Sequence, residues 1–232
     1  MKVQSPLLTA VLWMIGALFS FMMMGIGGRE LSSELGTFQI LFFRSIIGLV
    51  VVSILLSTTN WQQVKTKHLK THIWRNVAHY GGQFGWFYGI SILPLAEVFA
   101  LEFTLPIWVT FLAPLFLGER FTKARLTAVI VGFIGVLIIL RPGLAVINPA
   151  SFIVLGAALG FAISTLFTKK LSATESPINI IFYMTIIQLP LGFVPALANW
   201  VTPSLSLWPW LIVVGVGALS AHHSTAKALT IN

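Results

Sequence analysis

Apolar positions fall into eight long runs separated by short polar stretches, at about 6–26, 37–57, 76–93, 98–117, 124–140, 150–168, 178–198 and 208–229. A helix rises about 1.5 Å per residue and a bilayer's hydrocarbon core is about 30 Å thick, so roughly 20 such residues span it. The pattern predicts an all-α polytopic membrane protein with eight transmembrane helices. The first run follows Lys2, as the apolar part of a secretory leader would. It is too long for one and no small-x-small cleavage site follows, so it is read as the first transmembrane helix.

The polar stretches alternate in charge. One set holds Lys2, then Lys65, Lys67, Lys70 and Arg75, then Arg120, Lys123 and Arg125, then Lys169 and Lys170, then Lys227. The other set holds Arg29 and Arg141, while Arg44 lies inside a run. Cations concentrate on cytoplasmic loops, so the amino terminus and the 58–75 loop are expected in the cytoplasm.

Composition agrees with the pattern. Charged residues make up 9% of the chain, against about 25% in a soluble domain. The formal net charge of +8 sits in short loops between apolar runs, so it reports topology, and no nucleic-acid partner is expected. The chain has no Cys, which excludes disulfides and thiolate-bound metal. No phosphate loop, catalytic triad or metal set stands out, and no cofactor is implied. An embedded enzyme would need clustered acids or histidines at one interface, and the chain has no Asp at all.

Laid on itself at an offset of 140, the chain repeats. Residues 10–49 and 150–189 share 11 identities without a gap, among them Gly16/Gly156, Phe21/Phe161, Ser32/Ser172, Phe42/Phe182 and Leu49/Leu189. Five runs precede the second copy, and an odd number inverts it, as in many secondary transporters. Two domains are therefore expected: 1–143, with five helices, and 148–232, with three. At an offset near 137, Ala228–Asn232 aligns with Ser91–Leu95. Counterparts of the 98–117 and 124–140 helices are absent, and a fragment of a longer protein is expected.

Between 98–117 and 124–140 lies a charged turn, Gly118–Arg125, in which Gly118 is placed to end one helix and Thr122 to cap the next. The Leu105–Pro106 pair, the LGER turn at Leu117–Arg120 and GFIGVLII at Gly132–Ile139 resemble the EamA family of the drug/metabolite transporter superfamily. The likeness covers most of the chain and is strongest over 75–143. It implies ten helices in two inverted repeats of five, of which eight are present here. It also implies a bacterial inner-membrane carrier of amino acids, related metabolites or drugs, working by alternating access as one repeat rocks against the other. A small-molecule substrate and the lipid bilayer are the implied partners, and a homodimer is left open. A non-transporting structural or assembly subunit, or an inactive truncated product, is the alternative.

Charges inside a bilayer cost about 2.5–3.5 kcal/mol each on insertion scales, so they are functional candidates by default. Arg44 and Glu102 both lie inside runs at similar expected depth, where they would pair or share a charged substrate such as a zwitterionic amino acid. Pro106 and Pro114 free carbonyls in the fourth helix, and Pro190 and Pro195 do so in the seventh. The third helix carries Tyr80, Gln83 and Trp86, with His79 assigned to the cytoplasmic rim. The eighth carries His222 and His223. A substrate cavity is expected between these two helices, near Gln83 and His223, with histidine available to relay protons. Gly81, Gly82, Gly85, Gly132, Gly135, Gly156 and Gly160 are expected to permit close helix packing.

Overall fold

The computed structural model describes residues 6–119, 122–140 and 148–230. Among them the chain is helical, without strands: α1 (Pro6–Leu31), α2 (Thr37–Thr58), α3 (Leu69–Ile92), α4 (Leu95–Glu102), α5 (Leu105–Leu117), α6 (Lys123–Leu140), α7 (Pro149–Leu171), α8 (Pro177–Ala196) and α9 (Trp208–Thr230). Each apolar run corresponds to one helix, except that α4 and α5 divide the fourth. Lys2, Arg120, Arg141 and the 144–147 junction lie outside the described residues.

Helix ends follow local chemistry. Asn148 accepts the Ala150 N–H at 2.9 Å and Ser176 accepts the Asn179 N–H at 3.3 Å, each followed by proline at the first helical position. Gly118 closes α5 in the left-handed conformation, with φ of 66°. The break between α4 and α5 falls at Phe103 and Thr104. Pro106 has no N–H to give the Glu102 carbonyl, so the α-helical ladder stops there. Thr104 instead turns its hydroxyl back to the Leu101 carbonyl at 2.6 Å. Pro114 and Pro190, by contrast, lie inside continuous helices.

Six segments are long and apolar enough to cross a membrane: Leu7–Leu31, Thr37–Thr58, Leu95–Leu117, Pro149–Leu171, Pro177–Asn199 and Leu205–Thr225. α6 contains a shorter apolar stretch, Val129–Ile138. α3 is 24 residues long, enough for about 36 Å at 1.5 Å per residue. Its polar residues are turned inward: His72, Arg75, Asn76, His79 and Gln83 are all buried. Apolar side chains meanwhile cover the outside, including Phe19, Val50, Ile54, Leu115, Val131 and Ile138. Exposed apolar and buried polar residues are the inverse of a soluble domain, and a hydrocarbon solvent explains the inversion.

Three long pairings build the bundle: α1 along α9, α3 along α7 and α2 along α8. Exchanging α1–α3 with α7–α9 maps this set onto itself. Glycines make the contacts close. A Cβ on Gly160 would stand 2.9 Å from the Ala78 carbonyl oxygen, and one on Gly82 would stand 3.0 Å from that of Ala157. Gly192 meets the Phe42 backbone in the same way. Gly81, Gly132, Gly135 and Gly156, expected to pack, face open space: a Cβ at any of them would meet nothing within 4 Å. The two ends of the bundle are tied separately. Tyr183 of α8 donates to the Val64 carbonyl at 2.9 Å and Thr66 donates to Glu175, tying the 59–68 segment to α8 and to the 172–176 loop at one end. At the other, Arg29 donates to the Leu93 carbonyl, Gln39 to that of Val201, and Ser204 to Glu34 at 2.8 Å.

Candidate functional site

A chain of buried polar groups runs through the middle of the bundle. Arg75, on α3, donates from Nε to Thr168 Oγ1 at 3.1 Å and from Nη1 to Asn76 Oδ1 at 2.8 Å. Gln188, on α8, donates from Nε2 to the same Asn76 oxygen at 3.3 Å and lies 3.0 Å from His79 Nδ1. An amide nitrogen only donates, so His79 Nδ1 accepts and the ring proton of neutral His79 sits on Nε2. The His79 ring centroid is 5.8 Å from that of His222 on α9. Beside it the hydroxyls of Ser20 and Ser220 meet at 3.1 Å between α1 and α9.

A cavity of about 10 Å³, room for a single water molecule, lies against this chain, bounded by α2, α8 and α9. Arg44, Ser45, Thr185 and Gln188 supply its polar wall, and Gly48, Gly215 and Ala218 complete its lining. Arg44 is 6% exposed and its Nε has no hydrogen-bond partner. Gln188 Oε1 and Gln83 Oε1 are likewise buried without partners.

The expected pairing of Arg44 with Glu102 is not made. Glu102 Oε2 instead accepts the Trp86 indole N–H at 2.7 Å, tying the break of the fourth span to α3. Tyr80 and Gln83 are buried on α3, and the Tyr80 hydroxyl has no partner. His223 is exposed, its ring 5.8 Å from that of Trp13, so it is His222 that faces α3. Adjacent helical residues diverge by about 100°, so one of the two must turn away. His79, expected at the rim, is 5% exposed and central.

The sequence pattern does not single out Arg75 or Gln188. Arg75 reads as a loop cation because the apolar run 76–93 begins just after it. For Gln188 a signal exists: Thr185, Gln188 and Gly192 recur at helical spacing in an otherwise apolar run. A second polar cluster joins His72, Thr66 and Asn179 around Glu175 at one end of the bundle, with His72 Nε2 4.0 Å from the carboxylate. No group of three or more His, Cys, Asp or Glu suited to a metal occurs among the described residues.

An all-helical bundle with an apolar outer surface and a polar, partly unsatisfied interior is a polytopic membrane protein. Residues 8–141 match the model of the EamA-like transporter family, and the chain belongs to that family. Over 88% of its length it is 30% identical to the S-adenosylmethionine uptake transporter of Rickettsia bellii, covering 70% of that protein. It is 29% identical to the riboflavin transporter of Vibrio cholerae, over 100% of this chain and 79% of that one. The pseudopaline exporter of Pseudomonas aeruginosa is 28% identical over 91% of this chain and 75% of its own. A protein of known crystal structure, 13% identical, superimposes over 93% of this chain and 78% of its own with a TM-score of 0.71, which places the fold.

Proposed function

We propose that this chain is a secondary transporter of small metabolites, with amino acids or related compounds as cargo, and not an enzyme. It would reside in the bacterial inner membrane with its amino terminus in the cytoplasm and work by alternating access. The observation that carries this reading is the polar chain from Arg75 through Asn76, Gln188 and His79 to His222, opening on a cavity beside Arg44. Burying such groups in a bilayer is costly, and leaving some unsatisfied is costlier, unless a solute or water uses them. The relatives' names, covering S-adenosylmethionine, riboflavin and pseudopaline, support small organic solutes, and S-adenosylmethionine is itself an amino-acid derivative.

The test is flux. The full chain in proteoliposomes is expected to give saturable uptake of at least one labelled solute from a panel of amino acids, S-adenosylmethionine and riboflavin. Gln188→Leu should abolish that uptake in protein that still elutes as a monodisperse species. Flux no greater than that of empty vesicles across the panel would sink the reading.

A further inference from the structure

We propose that the pocket beside Arg44, water-sized in this conformation, widens during transport to receive an anionic group, a carboxylate or phosphate, on the transported solute, and that Gln188 Oε1 accepts an N–H or O–H from the same molecule. This rests on the transport reading above and names the class of its cargo.

The six acidic residues of the chain are all glutamates, and every one is engaged elsewhere or exposed. Glu30 is exposed. Glu34 holds Ser204, Glu97 accepts from Ser151 at 2.6 Å, and Glu102 accepts from Trp86. Glu119 pairs with Lys169, and Glu175 with Thr66, Asn179 and His72. None lies within ion-pair distance of Arg44 or Arg75. Two guanidinium groups, 6% and 5% exposed, are therefore buried with no countercharge among the described residues.

The two are not equivalent. Arg75 donates from Nε to Thr168 and from Nη1 to Asn76, which ties it into the framework. Arg44 makes no hydrogen bond among the described residues, keeps a buried Nε without a partner and lines the cavity. A guanidinium is planar and always charged, and its fork matches the two oxygens of a carboxylate or phosphate. An uncompensated buried cation is the state that a bound anion relieves. The same polar wall offers a complementary group. Gln188 uses its NH₂ on Asn76 and His79, and this fixes the amide orientation and leaves Oε1 as a buried acceptor without a donor. A cation and a bare acceptor lining one pocket fit a molecule that carries an anionic group beside a hydrogen-bond donor. A free α-amino acid has that form, and so has the amino-acid end of a larger metabolite.

The full chain, purified in detergent, is titrated with amino acids, their carboxamides and inorganic phosphate, and binding is followed by tryptophan fluorescence. At least one carboxylate compound or phosphate should bind, and converting the carboxylate to its amide should weaken binding by about tenfold or more, as expected for losing a charge-assisted bidentate contact. Arg44→Gln should reduce the acid to the affinity of its amide, and Arg44→Lys should retain part of the preference. Phosphate binding with no carboxylate binding would keep the anion site and assign it to phosphorylated solutes. Equal affinity for acid and amide, or an acid-to-amide ratio unmoved by Arg44→Gln, overturns the anion assignment while leaving vesicle flux, and so the transport reading, standing. The same holds if only a neutral solute such as riboflavin is carried. Absence of both binding and flux brings down the two together. Should Arg44→Gln fail to fold, the acid-to-amide ratio of the wild-type chain and of Arg44→Lys decides the matter.

Discussion

Trp86 gives its indole N–H to Glu102 across 2.7 Å, and this contact joins α3 to the point where the fourth span breaks. Trp86 is 2% exposed, so the bond is shielded from water. Trp86→Phe would strand the carboxylate and should destabilise the protein by about 1–3 kcal/mol. Glu102→Gln keeps an acceptor and should cost less. The midpoint of thermal unfolding in detergent checks both, and equal losses for the two variants would count against the bond.

Because Glu102 answers to Trp86, its substitution should not interact with that of Arg44. Arg44→Ala and Glu102→Ala should combine additively to within about 0.5 kcal/mol, as residues without shared partners do. A double-mutant cycle on thermal unfolding measures this. A coupling of about 1 kcal/mol or more, on the order seen for direct partners, would restore the pairing that the structure replaces.

The α3–α7 seam gives a matched pair of tests. Gly160→Ala drives a methyl group to 2.9 Å from the Ala78 carbonyl and 3.1 Å from Gly82 N, both backbone atoms that cannot rotate away. It should destabilise by about 1–3 kcal/mol, the usual range for overpacking. Gly156→Ala, one helical turn earlier on α7, meets nothing within 4 Å. It should be neutral or stabilising by up to about 1 kcal/mol through helix propensity. Unfolding midpoints in parallel samples compare them, and similar losses at both positions would contradict the seam.

Orientation is checked by labelling, and the absence of native Cys makes the background clean. Gln62 and Thr202 are exposed at opposite ends of the bundle. In intact cells Thr202→Cys should react with an impermeant maleimide and Gln62→Cys should not, until the membrane is opened. The reverse pattern would place the amino terminus outside.

Much of the bundle is legible in the sequence because lipid demands long apolar runs, and their register survives without any knowledge of packing. The helix at 37–57 and the stop at Gly118 stand in the structure almost where the pattern puts them. What escapes is the inside. The third helix is expected from 76 and begins at Leu69, because His72 and Arg75 look like a solvated loop when only runs are followed. In a bundle those residues point at other helices, and hydropathy along one segment carries no information about that direction. The same blindness assigns His79 to the rim and favours His223 over His222. Which of two adjacent histidines faces inward depends on the rotation of α9 about its axis, set by contacts with α1 such as Gly27 against Val214 and Trp210. Pairing Glu102 with Arg44 fails for a related reason: depth along a helix says nothing about azimuth around the bundle.

The three long helix pairings bear on how such a machine would move. Each couples a helix from the first half of the chain to one from the second, and two of them press backbone against backbone through Gly82, Gly160 and Gly192. Backbone surfaces in contact have no rotamers to exchange, so they slip poorly and travel together. The halves of the sequence and the blocks that pack together then differ. A block such as α3 with α7 would swing as one lever, and the pocket beside Arg44, lined by α2, α8 and α9, would open where blocks meet each other, not along the division between the two halves of the sequence.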